Sequence, residues 1–165
     1  MSLYSIEKTS SYQFTDKGSK FIAHINPVEN IDTYKNMISV YKIQNPKSSH
    51  VCTAYRIHVG SDIVEYSSDD GEPRGSAGKP ILNVLKRNNL VNVAAYVVRY
   101  FGGRKLGIPG LINAYEVSTM LAIEKLDIVE WEKYEKIKII FSYSNGSIVD
   151  FLLEKYRAII IDNII

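Results

Sequence analysis

The sequence predicts an α/β (α+β) fold, and three observations carry that prediction. Polar and apolar residues alternate through two stretches broken by turn residues, the pattern of half-buried β-hairpins. Four other stretches repeat their apolar residues at helical spacing. Val91 to Phe101 is an almost unbroken run of β-branched and aromatic residues, as expected of a strand covered on both faces.

The first hairpin runs through Tyr4, Ile6, Tyr12 and Phe14, turns at Thr15-Asp16-Lys17-Gly18 and resumes with Phe21-Ile22-Ala23-His24-Ile25 before Pro27. Asn30 or Asp32 can cap a helix with Ile31, Tyr34, Met37, Ile38 and Tyr41 on its apolar positions, ending before Asn45-Pro46. A strand over Val51–Val59, a turn at Gly60-Ser61-Asp62 and a strand over Ile63–Tyr66 make the second hairpin. Pro80 suits the first turn of a helix with Ile81, Leu82 and Leu85, closed by Asn88-Asn89. The long apolar strand then leads through Gly102-Gly103 into a helix covered by Leu111, Ile112, Tyr115, Val117, Met120, Leu121 and Ile123. From Asp127 onward a strand through Ile137–Tyr143, a helix (Ile148, Phe151, Leu152, Tyr156) and a strand at Ala158–Ile161 make a β-α-β unit.

Composition narrows the class. With 165 residues, 45% hydrophobic and 23% charged, the chain is neither disordered nor collagen-like, and one domain with an appendage is expected. Cys52 is the single cysteine, so no intrachain disulfide forms and a reducing, cytoplasmic setting is expected. The first residues lack a secretion signal, and no stretch approaches the length of a membrane span. The net charge of +2 says little, but its distribution says more: residues 73–115 hold seven bases and no acid.

That basic island contains Arg99-Tyr100-Phe101-Gly102-Gly103-Arg104-Lys105-Leu106-Gly107, which joins a central strand to a helix start. Backbone N–H groups and the helix dipole face a bound anion in such a junction, and Arg99, Arg104 and Lys105 add complementary charge. The same residues also suit a tight turn with solvated bases. Tyr96, Tyr100 and Phe101 lie in or beside the island, either as bases' stacking partners or as core. Ser67 to Pro80 is fourteen residues of turn chemistry, long enough to suggest function. Its Gly75-Ser76-Ala77-Gly78-Lys79-Pro80 is no nucleotide-binding P-loop, because Pro73 stands where that motif needs glycine and Pro80 where it needs Ser or Thr.

Asp69, Asp70 and Glu72 could hold a divalent cation, with Asp70 and Glu72 converging most easily. Turn and cap hydrogen bonds, or an ion pair to Arg74 or Arg99, account for them equally. His50, Cys52 and His58 share a strand face, but His50 and His58 would stand about 26 Å apart at the usual rise and cannot share a zinc ion. Cys52 reads as a buried thiol or as a nucleophile with His50 or His24 as base. No metal, no cofactor and no catalytic residue is assigned.

Taken together, His50-Val51-Cys52-Thr53-Ala54-Tyr55-Arg56, the segment Asp69-Asp70-Gly71-Glu72-Pro73-Arg74-Gly75-Ser76-Ala77-Gly78-Lys79-Pro80 and Arg99–Gly107 resemble, in order and spacing, the three signatures of the IMPACT (YigZ-like) family. The resemblance covers residues 1–126 as an IMPACT N-terminal domain. It implies a two-layer sandwich like domain two of ribosomal protein S-five, and a role in translation or stress control. Residues 127–165 resemble the first half of the ferredoxin-like second domain of bacterial relatives. An isolated half leaves backbone unpaired, so it pairs with another chain, docks on the first domain or belongs to a truncated sequence. A homodimer exchanging halves is the expectation. Two departures stand out: Pro109 follows the glycine loop, and Asn113 replaces a cation of the family pattern.

The functional expectation is a non-enzymatic regulatory module that binds RNA, the ribosome or another phosphate-bearing partner. Arg74, Lys79, Arg99, Gly102, Gly103, Arg104, Lys105 and Gly107 make the binding face, and Asp69, Asp70, Gly71, Glu72, Pro73, Gly75 and Gly78 the signature loop. An enzyme acting on a phosphorylated small molecule and a protein-interaction module are the alternatives.

Overall fold

The computed structural model describes residues 2–134 and 137–162, which divide into two compact units, 1–132 and 133–165. The first unit is built on a five-stranded antiparallel sheet of order β2-β3-β6-β4-β5, comprising β2 (Ser10–Asp16), β3 (Ser19–Pro27), β4 (His50–Val59), β5 (Asp62–Ser68) and β6 (Val93–Tyr100). β6 is central and, up to Arg99 near its end, apolar because both its faces are covered. Val93, Ala95 and Val97 face α2 (Gly78–Arg87) and α3 (Gly107–Ile123), packing with Phe21, Ile81, Leu85 and Tyr115. This helix layer against the sheet is the α+β sandwich. Ala94, Tyr96 and Val98 point the other way, onto Tyr34 and Tyr41 of α1 (Ile31–Gln44). Each large apolar side chain removed from water in these two cores stabilises the fold by about 1.5–3 kcal/mol.

Of the two possible caps for α1, Asn30 is used: its side chain accepts the Thr33 N–H at 2.8 Å. The first hairpin departs from expectation at its start. Glu7-Lys8-Thr9 interrupts it, and the leading strand β1 (Leu3–Ile6) pairs instead with β7 (Ile128–Trp131) in a separate two-stranded sheet. Residues 128–131 therefore join the first unit.

The register places four connections at one end of the main sheet. Lys20 pairs with Tyr100, His50 with Arg99 and Thr53 with Ser68, so the 16–19 turn, the 45–49 segment, the 69–77 loop and the 101–106 loop share that end. β5 and β6 are both antiparallel to β4, so both finish there, and α2 and α3 both start there. At the far end of α2, Arg87 pairs with Glu116 of α3 at 2.8 Å.

In the second unit α4 (Gly146–Lys155) forms over the expected residues. The strands expected at 137–143 and 158–161 do not form there: residues 137–142 and 158–162 are irregular, and 143–145 is a 3-10 turn. In a ferredoxin-like half the two strands are neighbours of a strand from the other half, so neither has an adjacent partner to complete its backbone hydrogen bonds.

Candidate functional site

The three sequence signatures meet around one buried carboxylate. Glu72 Oε1 accepts from Arg99 Nη1 at 2.6 Å and from the Tyr115 hydroxyl at 2.8 Å. Both charged side chains are almost wholly buried, at 3% and 7% exposure. Arg99 also lies 5.5 Å from the Phe21 ring centroid and 5.6 Å from that of Phe101, and it extends Nη2 to Ser19 Oγ at 3.5 Å. Tyr115 accepts from the Cys52 thiol at 3.2 Å. Arg99 thus ties together the loop before α2, the loop before α3 and the turn before β3. It takes no place on the surface binding face expected for it, because its charge is compensated from inside the fold.

Asp69 and Asp70 organise the loop after β5. Asp69 accepts from the backbone N–H groups of Gly75 (2.8 Å), Ala77 (3.1 Å) and Gly78 (2.8 Å). It is a cap delivered from outside the helix, and it explains why α2 begins at Gly78 rather than at Pro80. Asp70, in the left-handed region at φ 43°, accepts from Val51 N–H at 2.7 Å and pairs with Lys42 at 2.7 Å. The Asp70 carbonyl lies 2.8 Å from His50 Nδ1. The two carboxylates with the easiest convergence, Asp70 and Glu72, are thus drawn to different partners. Gly71 and Pro73 are exposed along the loop, while Gly75 bends it at φ 75°.

Cys52 is held as a neutral thiol. Burial pushes its pKa well up, outweighing the Tyr115 hydrogen bond, and the carboxylates of Glu72, Asp70 and Asp69 act in the same direction as burial. Neither candidate base is bonded to the thiol, whose partners are the Asp69 carbonyl and the Tyr115 hydroxyl: His24 stacks on Tyr41 at 4.4 Å between centroids, and His50 sets Nδ1 2.8 Å from the Asp70 carbonyl and Nε2 4.0 Å from Glu72 Oε2. The strand reading of Cys52 as a structural residue holds.

The loop before α3 is shaped by backbone contact. A Cβ on Gly102 would collide with the Gly18 carbonyl group, and the Gly102 N–H donates to Ser19 Oγ at 3.1 Å. The basic loop is therefore fastened to the 16–19 turn. Gly103 and Gly107 have φ of 85° and 74°, which favour glycine. Beyond this contact the loop is open: Phe101 is 51% exposed, Arg104 and Lys105 are exposed, and α3 has neither a side-chain cap nor an acid in its first turn. The two helix starts differ in this respect. α2 is capped by Asp69, whereas the first turn of α3 has no side-chain cap, is exposed at Gly107, Ile108 and Pro109, and follows two exposed cations.

Arg74 and Lys79 lie exposed on the neighbouring loop and the first turn of α2. Lys17, Lys20 and Lys47, remote in sequence from the basic island, are brought to the same sheet end by the register. None of these seven cations makes an ion pair within the described residues. Charge counting along the chain missed the three lysines, because only strand pairing makes them neighbours. The hairpin turn at Lys17-Gly18 was the one signal that could have placed the first two.

Residues 17–123 match the family model described as the Impact N-terminal domain. The chain belongs to the IMPACT family. It is 36% identical over 129 residues to IMPACT family member YvyE of Bacillus subtilis (strain 168), covering 78% of this chain and 59% of that one. It is 34% identical over 111 residues to IMPACT family member YigZ of Escherichia coli (strain K12), covering 67% and 54%. Protein IMPACT of Rattus norvegicus is 36% identical over 115 residues, covering 67% and 36%. The chain thus spans little more than half the length of these bacterial relatives. Among solved structures, a crystal structure of a hypothetical protein superposes with a TM-score of 0.72 at 26% identity, covering 93% of this chain and 75% of that one. No helix among the described residues is long and apolar enough to cross a membrane.

Proposed function

We propose that this IMPACT-family chain is a non-enzymatic binding module of translational or stress control that holds RNA, alone or in the ribosome, by its phosphates. The observation that carries the reading is the convergence at one sheet end of seven unpaired cations with the open start of α3. Four of them, Arg74, Lys79, Arg104 and Lys105, belong to the basic island, and Lys17, Lys20 and Lys47 extend it. The acids at this end support the same reading, since Asp69, Asp70 and Glu72 are engaged by donors of the fold and only Asp16 of the 16–19 turn stands against the seven cations, which leaves the surface charge positive. An enzymatic reading is less well supported among the described residues, where the thiol is buried and neutral and the buried carboxylate is matched by Arg99.

The test is RNA retention measured by fluorescence anisotropy. Replacing Arg104 and Lys105 by Gln should weaken binding, and replacing Lys8 and Lys125, which lie toward the opposite sheet end, should leave it unchanged. Equal effects from both pairs would show a nonspecific cation, not a binding face.

For the second unit we infer completion by a second copy. None of the described α4 residues is buried, and Ile137, Ile140, Phe151 and Ile159 are each more than half exposed. Light scattering at micromolar concentration should give a dimer mass, and a monomer refutes it.

A further inference from the structure

α1 leaves part of its sheet face uncovered, and an open groove of about 400 Å³ runs between the helix and β4–β5. Three tyrosines line it in mutual contact. Tyr34 and Tyr55 meet edge to face at 4.6 Å, and Tyr66 lies nearly parallel to Tyr55, with centroids 5.7 Å apart and planes 24° apart. Tyr34 and Tyr55 are buried, and the Tyr34 hydroxyl is fixed by Thr53 Oγ1 at 2.7 Å. Tyr66 is 49% exposed. The inner rings form a rigid floor, and the outer ring carries a free aromatic surface.

The charged groups lining the groove are Lys35, Lys42 and Asp70. Both Asp70 oxygens are already engaged, by Lys42 and by the Val51 N–H. Lys35 is exposed and makes no ion pair within the described residues, so the groove's uncompensated charge is positive. The groove also reaches the basic sheet end, because Asp70, part of its lining, lies in the 69–77 loop that carries Arg74 and leads into α2 with Lys79.

We propose that this groove is a base-stacking channel for single-stranded RNA, in which a base stacks on Tyr66 while the adjoining phosphate meets Lys35. This rests on the reading of the sheet end as an RNA face, and adds to it a preference for unpaired strands. An aromatic surface beside a cation suits an unstacked base and its phosphate, whereas a duplex keeps its base faces stacked and offers phosphates alone. The sequence gives each part a reason. Tyr66 is on the edge strand, where no further strand covers it, and Lys35 is one residue after Tyr34, so it sits at the rim while Tyr34 turns inward.

The experiment compares a labelled oligouridine of about ten nucleotides, within the range of single-strand site sizes, with an RNA duplex of equal length. Tyr66→Ala should weaken oligouridine binding about tenfold and leave duplex binding unchanged, and Tyr66→Phe should restore the wild-type value. Should Tyr66→Ala unfold, Lys35→Glu on the exposed face of α1 should still weaken oligouridine selectively. Unchanged oligouridine binding by Tyr66→Ala or equal weakening for both RNAs overturns the channel; the free edge of β5 would then point to a peptide strand. In that case loss of binding in the Arg104/Lys105 variant leaves the sheet-end reading standing. Wild-type protein that binds neither RNA removes both.

Discussion

Removing the Glu72 carboxylate should destabilise the fold more than removing any exposed charge. Glu72→Ala leaves a guanidinium that is 7% exposed without its counter-charge, and Arg99 Nε already has no hydrogen-bond partner. Breaking a buried ion pair from one side costs about 3–5 kcal/mol. Tyr115 loses an acceptor as well but keeps the Cys52 thiol as a donor, which adds about 1 kcal/mol. A total near 5 kcal/mol is a large share of the roughly 5–15 kcal/mol available to a domain. Glu72→Gln keeps an oxygen for both donors and should cost about half as much. Replacing both partners by Met removes both charges, so the double variant should be more stable than the sum of its singles by about 2 kcal/mol or more. Urea denaturation of the four proteins of this cycle measures each term. Singles that add to the double within about 0.5 kcal/mol would refute the coupling.

Gly102→Ala forces a Cβ onto the Gly18 backbone, which cannot yield as a side chain can, and should cost about 3 kcal/mol; a melting temperature within about 2 °C of wild type contradicts this. Asp69→Ala strands the N–H groups of Gly75, Ala77 and Gly78 and should cost about 2 kcal/mol, read by urea denaturation, while an exposed change such as Lys8→Ala should stay within about 0.5 kcal/mol. Burial holds the His24 imidazole below its ordinary 6.5, so the unfolded chain binds the proton first as pH falls. Stability should therefore drop from about pH 6.5 downward through the lower folded value, and His24→Gln should abolish that drop between pH 7 and 5. Glu65 does not interfere in this window: burial opposes its ionisation, but Lys86 and Arg56 prevail and hold it below 4.5, so its contribution is lost only at lower pH.

Much of the fold was legible because it is written in local periodicity. Val93–Val98 declares a central strand by its run of apolar and aromatic residues, and Asn30 and Asp32 mark a helix start by their side chains. What local pattern cannot carry is pairing between distant segments. Ile128–Trp131 reads as part of the tail, yet it pairs with Leu3–Ile6 because each supplies the other's edge. Residues 137–142 have a strand's composition without a strand's neighbour. The candidate site shows the same division. Arg104 and Lys105 were visible as cations beside glycines, but Arg99 differs from them only by lying one residue before the strand's end and facing Phe21, which composition does not reveal. Asp69 was legible as a capping residue, and its distance from the helix it caps was not.

The central claim, that the basic sheet end holds RNA phosphates, is tested most directly by the salt dependence of RNA affinity. With Arg74, Lys79, Arg104 and Lys105 all replaced by Gln, the slope of log affinity against log salt concentration should become shallower by about 0.7 for each cation that contacts a phosphate on a single strand. An unchanged slope, or wild-type binding that does not respond to salt, contradicts the account.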